Sequence, residues 1–95
     1  MIQTVDVVAI FDRMIREPKP VRFKIYERGH WKSVNVESIF NIEWMRLDGK
    51  VQIVYSCASR SCNGQMIRYK LKYLHQDIRW EMEMDAPGKA SGRIS

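Results

Sequence analysis

Phe40-Asn41-Ile42-Glu43-Trp44-Met45-Arg46-Leu47-Asp48-Gly49-Lys50-Val51-Gln52-Ile53-Val54-Tyr55 is the stretch that decides the fold. Asp48-Gly49 is the composition of a two-residue hairpin turn of the primed type, in which both central residues take positive φ. Such a turn pairs residues whose numbers sum to 97. Trp44 then faces Ile53, Ile42 faces Tyr55 and Phe40 faces Cys57. All three pairs fall on one face of the ladder, so the turn and the apolar pattern select the same register.

Upstream, residues 30–47 are strand-like but change phase. Val34 and Val36 form one set, Ile39 is out of step, and Phe40, Ile42 and Trp44 form another. A slip of this kind marks a bulge or a sharp bend. Val21, Phe23 and Ile25 alternate with Arg22, Lys24 and Tyr26, which predicts a half-buried strand, and Arg28-Gly29 turns it. Before the prolines at 18 and 20, apolar residues at Val5, Val8, Phe11 and Ile15 predict an amphipathic helix over residues 4–17.

Downstream, residues 50–58 form the second arm of the hairpin, and residues 59–64 a polar turn. Ile67, Tyr69, Leu71 and Tyr73 alternate with Arg68, Lys70 and Lys72 in the next strand. Ile78, Trp80, Met82 and Met84 alternate with Arg79, Glu81 and Glu83 in the last. A two-residue turn at His75-Gln76 sets Leu71 against Trp80 and Tyr69 against Met82. It also sets Lys70 against Glu81 and Arg68 against Glu83. Residues 85–95 carry Gly, Pro and Ser with little to bury, and read as a mobile tail. The expected fold is α+β, mostly β. One N-terminal helix precedes a five-stranded antiparallel meander over 20–84, curled into a small SH3-like half-open barrel, with residues 1–84 as a single domain.

Ninety-five residues with 45% hydrophobic and 28% charged side chains suit one small globular domain. No apolar run is long enough to span a membrane. No basic stretch precedes an apolar one at the N-terminus, so the chain reads as cytoplasmic. The net charge of +5 is concentrated. Residues 19–32 hold Lys19, Arg22, Lys24, Arg28 and Lys32 against Glu27. Residues 60–79 hold Arg60, Arg68, Lys70, Lys72 and Arg79 against Asp77. The second set faces glutamates across its expected hairpin, which argues against a binding stripe there. In the first set, Arg22, Lys24, Tyr26, Arg28, Trp31 and Lys32 interleave cations with rings. Small barrels bind single-stranded nucleic acid in this way, with cations tracking the backbone and rings stacking on bases. The competing reading packs Tyr26 and Trp31 beneath the N-terminal helix.

Other chemistry is thinly supported. Cys57 and Cys62 stand at C-x4-C spacing with His30 and His75 isolated, which is not a zinc signature. Cys57 reads as a core residue and Cys62 as an exposed thiol. No motif pairs a nucleophile with a base, no glycine-rich phosphate loop exists, and the five glycines read as turn or tail residues. The expectation is a non-enzymatic module with no cofactor, no metal and no small-molecule substrate. Its partner is nucleic acid, or alternatively a protein met through a barrel edge or an apolar patch near Met45 and Met66.

Pro20-Val21-Arg22-Phe23, Trp31, Val34-x-Val36-x-x-Ile39, Tyr69-x-Leu71-x-Tyr73 and Trp80 carry a resemblance as well. In these positions the chain resembles small clostridial-type bacterial β-domains found alone or as tails of Y-family translesion polymerase-like proteins. The resemblance covers residues 20–84 and rests on core and turn positions. It implies an accessory role near DNA-repair machinery and transfers no catalytic residue.

Overall fold

The computed structural model describes residues 2–14, 16–61 and 63–85. Seven strands make one antiparallel sheet: β1 (Ile2–Ile10), β2 (Lys19–Glu27), β3 (His30–Asn35), β4 (Ser38–Leu47), β5 (Lys50–Arg60), β6 (Met66–Leu74) and β7 (Arg79–Met84). Their spatial order is β3-β2-β1-β7-β6-β5-β4. Among the described residues there is no helix. The expected helix-plus-five-strand barrel is therefore replaced by an all-β, seven-stranded architecture.

The segment read as a helix is β1. Val5, Val7, Val8 and Ile10 are β-branched and lose side-chain freedom against a preceding helical turn. In the strand, Val5 is buried and Val7 and Ala9 half-buried, while Thr4, Asp6, Val8 and Ile10 are exposed. That is a period of two. The helical spacing of Val5, Val8 and Phe11 was a coincidence of a chain rich in valine.

β1 is also where the sheet bends. Its first half, Ile2 to Val5, pairs with β7, and its second half, Asp6 to Ile10, pairs with β2. One strand thus serves two layers, and the β2–β3 hairpin folds back over the inner face of β5, β6 and β7. Phe23 of β2 meets Tyr69 of β6 with ring centroids 5.2 Å apart. Tyr55, Tyr73 and Trp80 stack in a tilted row beside them. Val5, Phe23, Tyr55, Cys57, Leu71 and Met82 complete a core in which Tyr55, Cys57 and Leu71 have no exposed surface.

Hydrogen bonds from Tyr55 and Ser59 fasten the layers, and one from Val36 extends the β2–β3 ladder. Tyr55 donates its hydroxyl hydrogen to the Pro18 carbonyl, which pins the segment ahead of β2. Ser59 Oγ donates to the Asn35 carbonyl at 2.6 Å and accepts from the Tyr69 hydroxyl, tying the end of β3 to β5 and β6. The Val36 amide donates to the Val21 carbonyl at 3.0 Å.

The hairpin at Asp48-Gly49 has the expected register: Trp44 opposes Ile53 and Ile42 opposes Tyr55. Asp48 and Gly49 take φ of 51° and 77°, and Arg28-Gly29 repeats the pattern at 52° and 80°. Phe40 does not oppose Cys57. The ladder shifts between Ile39 and Asn41, Ile39 takes the place beside Cys57, and Phe40 bulges to the outer face. The phase slip upstream has a second cause: β3 and β4 are separate strands parted at Val36-Glu37.

The last hairpin is two residues longer than expected. Its turn occupies residues 75–78, with Ile78 at φ 49°. Leu71 therefore meets Met82, Tyr73 meets Trp80, Lys70 meets Glu83 and Lys72 meets Glu81. A shift of two keeps the same side chains inside, so the apolar pattern alone did not distinguish the two registers. Asp85 ends the described chain with its amide donating to the Arg68 carbonyl. The expectation of a mobile tail otherwise falls on residues 86–95, outside the described residues.

Candidate nucleic-acid interface

β2 sorts its side chains by parity. Phe23 points into the core, while Arg22, Lys24 and Tyr26 lie on the outer face and are exposed. The I′ turn at Arg28-Gly29 sets Tyr26 opposite Trp31. Their rings meet edge to face at 5.2 Å, yet remain 56% and 65% exposed. With β1 in place of the expected helix, no element among the described residues covers them. Lys24 is flanked by Asp6 of β1 and Ser33 of β3, and Arg22 by Val8 and Asn35.

Four of the six expected site residues thus share one face: Arg22, Lys24, Tyr26 and Trp31. Arg28 sits at the tip of the turn. Lys32 does not join them. It opposes Ile25, an inward position, and so belongs to the opposite face of the hairpin. Counting two residues from the core position Val34 would have shown this from sequence.

The second basic set is engaged within the fold. Lys72 Nζ lies 3.1 Å from Glu83, and Arg79 reaches Glu81 at 3.3 Å and Asp77 at 3.8 Å. The Lys72 ammonium hydrogen-bonds and attracts the Glu83 carboxylate, which lowers its pKa. The Arg68 guanidinium stands 5.2 Å over the ring of Phe40, and Arg60 meets Glu37 at 3.9 Å. Among the described residues, Arg22 and Lys24 have no such partner.

A concave feature lies on the inner face, between residues 11–18 and β4. It is a cleft of about 520 Å³ lined in part by Phe11, Arg16, Trp44, Tyr73 and His75. Trp44 Nε1 donates to Glu17 at 3.2 Å, and Arg16 stacks 5.6 Å from the Trp44 ring. These contacts hold both charged groups against the ring.

Cys57 is fully buried, and burial pushes its thiol up to about 12. At neutral pH it is a packed thiol rather than a nucleophile. Burial likewise raises Tyr69 to about 12, partly offset by its hydrogen bond with Ser59. The reading of Cys62 as an exposed thiol falls outside the described residues. Among the described residues no cluster of three or more His, Cys, Asp or Glu could hold a metal ion, and no helix is long and apolar enough to cross a membrane.

No family model, curated protein or solved structure matches this chain. The resemblance over residues 20–84 accordingly stands on its own residues alone.

Proposed function

We propose that the protein binds single-stranded nucleic acid through the outer face of the β2–β3 hairpin. The observation that carries this reading is the coincidence, on one exposed face, of two cations without an ion-pair partner among the described residues, Arg22 and Lys24, with two exposed rings, Tyr26 and Trp31. Arg28 extends the positive charge at the turn. The cations attract the phosphate backbone without regard to sequence, and the rings offer surfaces on which bases stack.

The face is short. Arg22 and Tyr26 are four residues apart, or roughly 14 Å along a strand. Few nucleotides fit, so the affinity is modest, in the range of about 1–100 μM. Three cations each neutralising one phosphate give a log–log salt slope near −2. Binding then weakens about 15- to 20-fold between 50 and 200 mM salt.

Fluorescence anisotropy with labelled single-stranded DNA, RNA and duplex DNA at those two salt concentrations tests the reading. The expected result is single-strand binding with that slope. No binding at about 100 μM protein in the lower salt, or binding indifferent to salt, overturns it.

A further inference from the structure

The two edges of the sheet differ. β3 is six residues long and presents Lys32, Ser33 and Asn35. Short length and charge are the ordinary means of protecting an edge from pairing. β4 is ten residues long, and nearly all of it is exposed. The β2–β3 layer covers the inner face over Cys57 and Tyr69 but stops short of β4, leaving Ile42 and Trp44 about half exposed beside the buried Tyr55 and Ile53, with Arg16 and Glu17 against one side of the Trp44 ring. On the other face Phe40, Met45 and Leu47 are open too. These five side chains are between 39% and 54% exposed.

We infer that β4 is the interface of a homodimer, formed by antiparallel pairing of β4 with β4 of a second copy across a two-fold axis perpendicular to the sheet. Three observations favour this occupant. The first is the open ladder. Leu47 and Lys50 flank a two-residue turn and bond to each other, so alternate residues Ile42, Trp44 and Arg46 turn their backbone groups away from β5. That row is solvated in the single copy and is a template for another extended chain. The second is the amount of apolar surface. The five side chains expose roughly 400–500 Å², close to the apolar share of the ~800 Å² that each partner buries in an ordinary stable interface. The third is charge. Residues 37–50 carry Glu37, Glu43 and Asp48 against Arg46 and Lys50, a net of −1 in a chain of +5. Arg16, Glu17 and Arg68, which pack on Trp44 and Phe40, bring the strand's surroundings to neutrality, so two copies approach there without the repulsion their basic surfaces impose.

The symmetry adds specificity. A two-fold axis perpendicular to the sheet keeps inner side chains beside inner ones and outer beside outer. Ile42 and Trp44 meet their counterparts on one face, and Met45 and Leu47 on the other. Closure at one strand pair uses up the unprotected edge and leaves the two β3 edges outermost.

Sedimentation equilibrium on the full chain from about 1 to 300 μM tests the inference, independently of any nucleic acid. The expected result is a monomer–dimer equilibrium. Ile42→Lys with Met45→Glu should weaken it at least 100-fold while leaving the melting temperature unchanged, because both side chains are already exposed. Met66→Lys, an exposed methionine on β6, should leave it intact. Should the double variant fail to fold, hydrogen exchange on the wild type decides. The amides of Ile42, Trp44 and Arg46 should become protected as concentration rises. A monomer throughout the range overturns the inference. So does a dimer indifferent to both β4 substitutions, an open-ended assembly, or exchange at those amides that ignores concentration.

Discussion

Residues 19–32 and 60–79 each carry a net charge of +4, yet the fold treats them in opposite ways. The second region lies on β6 and β7, where glutamates stand across the ladder and Phe40 bulges out beneath Arg68. Arg60, Arg68, Lys72 and Arg79 have internal partners, and Lys70 faces Glu83 across the ladder. The first region lies on β2 and β3, whose outer neighbours are Val8, Ser33 and Asn35, with Asp6 the one acid opposite. Equal charge in sequence becomes unequal potential at the surface because register decides who stands opposite whom. The rings follow the same division. Tyr69 and Tyr73 are buried in the second region, whereas Tyr26 and Trp31 are exposed in the first.

Reversing charge in the two regions separates them most sharply. Arg22→Glu with Lys24→Glu should weaken single-stranded DNA binding at least 100-fold at low salt with little change in melting temperature. A loss of stability in step with the loss of binding would instead place these cations among the supports of the fold. Removing one ring, Trp31→Ala, should weaken binding by about 1–3 kcal/mol, read by the same titration. An unchanged affinity would reduce the face to its charges.

The hairpin keeps its place through Ser59, and Ser59→Ala tests that support. It strands the buried Tyr69 hydroxyl and should cost about 1–3 kcal/mol in denaturant unfolding. The smallest effect belongs to Lys72→Met, which should cost about 0.5 kcal/mol because the pair is partly exposed. Its pH signature is more telling than its size. Glu83 has a lowered pKa in the folded chain, so its contribution is present above the ordinary glutamate value. That contribution fades as pH falls through the lower, folded value. Lys72→Met should flatten the acid limb of the stability profile, whereas Lys24→Met should leave it unaltered.

Much of this contrast was legible in the residues. The parity of Arg22, Lys24 and Tyr26 against Phe23 followed from alternation, and the glutamates facing β6 followed from a hairpin two residues too short. Period-two patterns are blind to shifts of two, so alternation sets Lys70 against Glu81 where the ladder sets it against Glu83. Valine-rich β1 offered apolar residues at nearly every spacing, so a helical subset could be picked from a strand. The openness of Tyr26 and Trp31 depended wholly on that reassignment. Lys32 belongs to the basic segment around the first hairpin but not to its outer face, because adjacent residues in a strand point to opposite sides.

β1 pairs with β2 along one half and with β7 along the other, and β7 is the last strand in the chain. Every other pairing in the molecule joins sequence neighbours. During synthesis the hairpins from β2 to β7 assemble as they emerge, but the Ile2–Val5 half of β1 stays unpaired until residues 79–84 are free. Closing that contact between the first strand and the last carries the largest loop-closure entropy in the fold and makes it the natural final step. A released chain truncated before Arg79 should therefore keep its local hairpin pairings while leaving Val5 accessible to solvent.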